Sequence, residues 1–227
     1  AGLVLIVCSL AFIAVFSYLA AAFGYPDVLD HEAAEVLPAL LAGGASLRSV
    51  WFFYAALPVG FVYVGVASAS WFGESGDELR SWAVGALVAA GVAMTLGLVR
   101  WPTIEWILAL AWQAGPASTH VALEAIFDAS NLYLGNFIGE FVGEVCLALW
   151  FFLVAGTFHR RGRSGWATVG FLAALLQFVA AFRNVISLVA PISELNNLSL
   201  PLWLIALGIA FFRHDEPSDS ATASSRD

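Results

Sequence analysis

The sequence predicts an all-α integral membrane protein, a bundle of six transmembrane helices with interfacial helices in the first and third outer segments. Hydrophobic residues make up 61% of the 227 residues and charged residues only 11%. The mean hydropathy is +0.86. A soluble domain has about 45–50% apolar and about 25% charged residues, so it could not cover this much apolar surface. At about 20 residues for each crossing, the chain can hold roughly six spans.

Apolar runs separated by polar, glycine- or proline-containing segments define these six spans. They cover residues 1–23, 47–72, 79–99, 132–158, 165–189 and 200–212. Pro58 predicts a kink within the second span. Trp51 and Trp71 stand near the two ends of that span, as is typical of interface anchors. Residues 191–199 are expected to form a polar loop before the last span, with residues 195–198 available to lengthen it.

Three segments on the outer side do not have the character of a simple span. Residues 30–41 place apolar side chains at helical spacing beside acidic ones, which favours an interfacial amphipathic helix. Residues 101–116 are apolar but too short to cross, and they carry Glu105, so they are either interfacial or re-entrant. A further helix, with Ser118 as its N-cap, is expected to begin near Thr119 and to run on into the fourth span.

The one basic cluster of the sequence, residues 159–163 (HRRGR), predicts the orientation. Cytoplasmic loops of membrane proteins collect Arg and Lys, so this loop is placed in the cytoplasm. The expected location of the protein is the plasma membrane. Counting the spans from this loop places both termini in the cytoplasm. Residues 1–213 then form a single transmembrane domain, and residues 214–227 form a disordered cytoplasmic tail.

The residue counts exclude several classes of function. All nine basic residues are Arg, which excludes Lys-based Schiff-base chemistry and a Walker A loop. We expect no metal site and no cofactor, since the sequence lacks an HExxH motif and a convincing ligand cluster. A basic stripe is absent, so we expect no nucleic-acid partner. No nucleophile–base pair is visible, which makes an enzyme the least favoured class. The acidic, Lys-free composition is typical of a high-GC genome and suggests a high-salt habitat.

A glycine repeats every four residues at the start of the fourth span. Because a step of four residues turns a helix by nearly one revolution, these glycines share one ridge. The glycine ridge consists of Gly135, Gly139 and Gly143. Small residues let another helix approach closely. The ridge therefore serves either packing within the bundle or contact with a second copy or another membrane partner.

The ridge beside it is polar and consists of Asn136, Glu140 and Glu144. An ionised side chain at mid-membrane costs about 2.5–3.5 kcal/mol on insertion scales, so such groups usually face a cavity or a partner. Two carboxylates one turn apart repel each other when both are ionised, and we expect the deeper Glu144 to keep its proton. The ridge is either a structural hydrogen-bonded pair or a site for a proton, a cation or a polar ligand.

Depth below the membrane surface suggests partners for these carboxylates. Arg183 and Asn184 match the depth of Glu140, so a Glu140–Arg183 ion pair is the leading expected contact. Gln177 lies two turns deeper and matches the depth of Glu144. Four further polar residues are expected to form an ordinary wet rim at the outer mouth: Arg100, Asp128, Asn131 and Tyr133.

Short motifs spread over nearly the whole chain carry a family resemblance. They are residues 22–29 (AFGYPDVL), Gly43-Gly44, residues 131–135 (NLYLG) with Ile138-Gly139-Glu140 and Gly143, and residues 202–208 (LWLIALG). Together they resemble the domain-of-unknown-function family numbered 4386, a family of uncharacterised prokaryotic membrane proteins. The resemblance implies a six-helix membrane protein and no particular activity. In the family pattern a His follows the motif Glu, whereas Phe141 stands there in this sequence, which argues against a metal site at Glu140.

Two classes of function stay open. In the first, a small transporter, channel or solute-binding membrane protein uses a pocket formed by Glu140, Glu144 and Arg183. In the second, a non-catalytic membrane partner or sensor uses the same charges only to lock the bundle. A solvent-connected cavity that reaches Glu144 favours the first class. A fully packed, ion-paired centre together with an exposed apolar groove favours the second.

Overall fold

The structure, a computed structural model, describes residues 1–214 except for the side chains of residues 29, 30, 74, 75, 213 and 214. Every regular element in this range is helical, which confirms the all-α class. The tail expected over residues 214–227 lies, from residue 215 onward, outside the described residues.

Ten α-helices follow one another between residues 1 and 214. They are α1 Gly2–Phe23, α2 Ala33–Ala42, α3 Gly44–Ala56, α4 Val59–Ala67, α5 Asp77–Val99, α6 Trp106–Ala114, α7 His120–Ser130, α8 Gly143–Arg160, α9 Ser164–Ala180 and α10 Ala190–His214. Two π-helical segments, Trp101–Glu105 and Asn131–Val142, join α5 to α6 and α7 to α8. Short 3-10 turns lie at Asp27–Asp30, Ala69–Ser75, Ala117–Thr119 and Ser187–Val189.

Five continuous helical segments in the described range are long and apolar enough to cross a membrane. They are Gly2–Phe23, Gly44–Ala67, Asp77–Ala114, Ala117–Arg160 and Ser187–Phe212. The expected fifth span corresponds to α9, which has 17 residues and is slightly shorter than these five segments need to be to cross. At 1.5 Å per residue α9 is about 26 Å long, slightly less than the hydrocarbon core of about 30 Å. The second span breaks between Ala56 and Val59, which confirms the kink expected at Pro58.

Two of these segments are much longer than a membrane is thick. Asp77–Ala114 has 38 residues and Ala117–Arg160 has 44, which correspond to about 57 Å and about 66 Å. Residues 101–116 are therefore neither a separate interfacial helix nor a re-entrant loop, because residues 101–114 continue α5. Pro102 lies at the start of the π segment. Because proline has no N–H, a change in the backbone hydrogen-bond pattern at this position accommodates it within the continuous helix. The helix from residue 119 runs on into the fourth span as expected.

The far ends of the two long segments pack against α2, and these three helices form what we call the helical cap (α2, α6 and α7). Beneath the cap lies a core of aromatic and aliphatic side chains. Trp51 stacks on Trp101 at 4.9 Å between ring centroids.

Trp51 and Trp71 are 0% and 7% exposed, so both are core residues and the prediction that they anchor the interface is wrong. Their large rings fill space between helices in this bundle.

A second hydrophobic core lies at the other end of the bundle, around Trp150, Phe151 and Phe158. Here α8 packs along α9, α10 packs along α1, and α5 packs along α4 and α8. Residues 191–199, expected as a polar loop, are instead part of the continuous helix α10. Their polarity is compatible with a helix because Asn196 is buried and pairs with a polar side chain of α9.

Candidate functional site

A cavity of about 160 Å³ lies between the two hydrophobic cores. The walls come from α1, the α3–α4 break, α5, the second π segment and α10. The apolar wall includes Phe12, Phe16, Leu57, Phe61, Leu98, Trp101 and Leu204. The polar and charged wall includes Ser9, Tyr25, Tyr54, Arg100, Glu140, Glu144, Arg183, Ser193 and Asn197. Binding sites for small molecules share this combination of an apolar wall with a few converging polar groups.

The central contact of the polar wall is the ion pair between Glu140 and Arg183, which confirms the leading predicted contact. Arg183 donates two hydrogen bonds, from Nε to Oε2 at 2.9 Å and from Nη2 to Oε1 at 2.7 Å. Asn184 Nδ2 adds a third to Oε2 at 2.6 Å. The side chains of Arg183 and Glu140 are 21% and 24% exposed. A bidentate arrangement of this kind fixes the geometry of both groups.

Arg183 and Tyr25 lie outside the long helices, and interaction with Glu140 changes the pKa of each. Burial lowers the pKa of Arg183, but the hydrogen bonds and the negative charge of Glu140 outweigh it and raise that pKa above its ordinary value. Burial also raises the pKa of Tyr25, and the charge of Glu140 adds to the increase. Arg183 therefore stays charged and Tyr25 stays a neutral hydroxyl at physiological pH.

Glu144 lies one helical turn from Glu140 and lines the same cavity. Its Oε2 atom is buried and has no hydrogen-bond partner. The depth match with Gln177 does not produce a contact with Glu144, because Gln177 Oε1 accepts a hydrogen bond from Asn196 Nδ2 at 3.0 Å. Gln177 is 0% exposed and belongs to the α9–α10 contact, and it does not line the cavity.

The Asn196–Gln177 bond allows a stability prediction. We expect Asn196→Ala to lower the free energy of unfolding by about 1–2 kcal/mol, because it leaves the buried Gln177 amide without a partner. Asn196→Leu combined with Gln177→Leu removes both polar groups and should cost less than the single change. Chemical denaturation in detergent, followed by tryptophan fluorescence, measures both. A double variant less stable than Asn196→Ala would contradict the reasoning.

The other end of the cavity holds a second cluster of buried charges that includes part of the expected rim. Arg100 is 4% exposed and donates from Nε to Asn131 Oδ1 at 3.0 Å. It also donates to the Gly97 carbonyl oxygen. Glu105 is 0% exposed, and its Oε1 lies 3.9 Å from Arg100 Nε. Ser130 donates to the same Glu105 oxygen at 2.5 Å.

Of the expected rim residues, Arg100 is thus interior and Asn131 is half-buried beside it, and the other two are not part of this cluster. Asp128 is exposed. Tyr133 is 61% exposed and stacks on Phe137. Asn136 of the polar ridge is half-buried and does not line the cavity, and Asn184 reaches the site only through Glu140. The wet-rim prediction is therefore wrong for Arg100 and compatible with the exposure of Asp128 and Tyr133.

Sequence reasoning missed three of the polar residues that the structure brings to this region. Ser193 and Asn197 line the cavity from α10, in a segment expected to be a loop. Glu105 stands out in the sequence only as a charge within a short apolar stretch. The signal that could have found it is its five-residue distance from Arg100, which places the two on one face of a π-helical turn.

The two π-helical segments flank the cavity, and the second packs against α5. Arg100 and Glu105 bracket the first segment, and Glu140 lies in the second. π-helical turns are rare in proteins and occur frequently at functional sites. The wider turn changes the direction of successive side chains, so both segments place charged groups toward one region of the bundle.

The glycine ridge packs against α5 within the chain. A Cβ atom at Gly139 would lie 2.8 Å from Gly97 Cα, and one at Gly143 would lie 2.8 Å from Met94 Cγ. At Gly135 it would lie 2.6 Å from Arg100 Nη2. Gly135 therefore makes room for the guanidinium group, and the other two glycines allow close helix packing. This intramolecular contact accounts for the ridge without a second copy of the chain.

In the part of the chain that the structure describes, no group of three His, Cys, Asp or Glu residues lies close enough to hold a metal ion. Both cysteines are free thiols within helices. No family model, no curated protein and no solved structure matches this chain.

Proposed function

We propose that this multi-pass membrane protein binds a small solute with a polar end in the cavity beside Glu144, and that it couples this binding to a proton as a small transporter or solute-binding protein. One observation carries the proposal: a buried carboxyl oxygen of Glu144 lacks a partner and belongs to a cavity wall. A lone carboxyl group in an apolar setting is stable when it is neutral. It can release its proton when a solute or a cation reaches it.

The rest of the cavity supports this function. Arg100 and the Glu140–Arg183 pair provide fixed charges, while the aromatic wall provides an apolar surface. Ionisable groups within membrane-spanning helices typically face such cavities and mark ion or substrate pathways. The proposal includes a plasma-membrane location with six spans, α9 being the fifth, and both termini in the cytoplasm. In it, α2 lies at the outer interface. Membership of family 4386 stays a prediction.

The proposal is tested by proton flux in liposomes that contain the purified full chain and the internal pH dye pyranine. With an imposed pH gradient and valinomycin as the charge shunt, wild-type protein should dissipate the gradient faster than protein-free liposomes do. Glu144→Gln should slow the flux at least tenfold, because glutamine cannot carry the proton. Glu78→Gln, which changes an exposed carboxylate at the start of α5, should leave the flux unchanged.

Unchanged flux in both Glu140→Gln and Glu144→Gln would reject the role of these carboxylates. Wild-type liposomes that hold the gradient as well as empty ones would reject a proton path through Glu144 that operates without a bound solute. The second candidate, a membrane partner or sensor with purely structural charges, would then be favoured. The observation that favours this second candidate is that Glu140 already accepts three hydrogen bonds from Arg183 and Asn184.

A further inference from the structure

An open apolar groove lies between α9 and α10. It has a volume of about 760 Å³, and Phe151 of α8 contributes to its wall. Val169 and Leu172 on its α9 wall are 51% and 61% exposed. Trp203 lines it from α10. The groove therefore exposes a continuous hydrocarbon surface with room for a further molecule.

The two ends of the groove differ chemically. One end is formed by Gly165 and Trp166, in the first turn of α9. The other end is formed by Leu176 and by Asn196, which pairs with the buried Gln177. The α9 wall from residue 165 to residue 176 is about 17 Å long at 1.5 Å per residue. This length matches one leaflet, half of a hydrocarbon core of about 30 Å, whereas a transmembrane partner helix needs the full thickness.

The end of the groove at the first turn of α9 carries positive charge. Arg163 is exposed and immediately precedes α9. The first N–H groups of α9 and the positive end of its helix dipole lie at this end as well. Arg161 donates instead to the Trp71 carbonyl oxygen at 2.9 Å, which directs its guanidinium group elsewhere. Arg163 and the N-terminus of α9 therefore place positive charge next to the end of the groove that Gly165 and Trp166 form.

We propose that the groove binds one acyl chain of an anionic phospholipid, whose phosphate group lies at the N-terminus of α9 beside Arg163. The chain covers the exposed apolar wall, and the phosphate complements the positive charge at its mouth. The groove ends at the Asn196–Gln177 pair, which limits the chain to one leaflet. The groove shares none of the cavity's charged residues, so lipid binding stands or falls independently of the proposed function.

The test is native mass spectrometry of the full chain in detergent, titrated with palmitoyl-oleoyl phosphatidylglycerol and with palmitoyl-oleoyl phosphatidylcholine. The two lipids share acyl chains and differ in headgroup charge. We expect wild-type protein to bind phosphatidylglycerol several-fold more tightly. Arg163→Gln should lower that affinity about fivefold, the effect of removing one positive charge near the membrane surface. It should lower phosphatidylcholine binding less, because the choline cation of that lipid offsets the charge of its phosphate.

Two groove variants test the acyl-chain part. Val169→Trp and Leu172→Trp fill the groove and should each weaken the binding of both lipids. Since both positions are exposed, at least one variant is expected to fold, as judged by monodisperse elution. Leu10→Trp, at an exposed position of α1, is the control for added bulk, and Arg80→Gln is the control for a lost exposed arginine.

Equal binding of the two lipids by wild-type protein would overturn the headgroup assignment. Lipid binding that is unchanged in a folded groove variant would overturn the site itself. A doubled protein mass that excludes lipid and that Leu172→Trp abolishes would also overturn it, because a second copy of the chain would then occupy the groove.

Discussion

Gly139→Leu is expected to separate the two longest helical segments and to lower the free energy of unfolding by at least about 3 kcal/mol. A Cβ atom at Gly139 would lie 2.8 Å from Gly97 Cα, and a Cβ at Gly97 would lie 2.6 Å from Gly139 Cα. Both atoms belong to the backbone, so no side-chain rotation relieves the overlap. Overpacking a tight contact typically costs about 1–3 kcal/mol, and a leucine placed against a backbone falls at or above that range.

Denaturant unfolding in detergent, followed by tryptophan fluorescence, measures this effect. Gly139→Ala should be intermediate, since it adds only the clashing Cβ. Gly156→Ala is the matched control, because Gly156 lies in the same long segment and a Cβ there has nothing within 4 Å. This control should match or slightly exceed wild type, since alanine favours a helix interior over glycine by about 0.5–1 kcal/mol. A wild-type midpoint for Gly139→Leu would contradict the close contact.

The membrane-spanning elements of this fold are the part that sequence could predict. A long apolar run has few alternatives in a membrane, because its backbone must satisfy its own hydrogen bonds as a helix. This constraint is sufficient for α1, and the missing N–H of Pro58 predicts the break between α3 and α4. It does not determine where a helix ends beyond the membrane. The continuation of α5 into α6 through a π segment therefore differs from the expected short separate segment.

Polar residues mislead the prediction where their partners lie on another helix. Residues 191–199 have the composition of a loop, but Asn196 is satisfied by Gln177 and the helix continues through it. The error extends to the site, because Ser193 and Asn197 can be assigned to the cavity only as parts of α10. Composition reports the polarity of a segment, and it cannot report which partner satisfies that polarity.

For the charged residues, the sequence predicts depth in the membrane better than it predicts contacts. Matching depths on two helices predict the Glu140–Arg183 pair, which the structure contains. The same rule pairs Gln177 with Glu144, but the structure does not contain this contact. Depth fixes the height of a residue in the membrane and does not fix the direction in which its side chain leaves the helix. Arg100 is expected to be wet, and its burial depends on the space above Gly135. That space exists only once two helices have packed.

Arg183→Met is expected to lower the free energy of unfolding by about 2–3 kcal/mol, and Glu140→Gln with Arg183→Met should cost less than the sum of the two single changes. Removing one partner of a buried ion pair costs about 3–5 kcal/mol, since the other charge stays buried and unpaired. Here the side chains are 21% and 24% exposed, so solvent reduces that cost. For a chain of this size the single change corresponds to a melting temperature lower by roughly 4–12 °C.

The double-mutant cycle distinguishes a specific ion pair from two independently useful residues. A coupling energy of about 1–2 kcal/mol is expected for Glu140 with Arg183, whereas strictly additive costs would show that the bidentate contact contributes nothing. The Asp77–Arg80 pair, at 2.7 Å, is the matched control, because its aspartate is 89% and its arginine 44% exposed. Water and side-chain entropy offset the attraction at such a surface, so its coupling should not exceed about 0.5 kcal/mol. The difference between the two cycles then measures what partial burial between helices adds to the same chemistry.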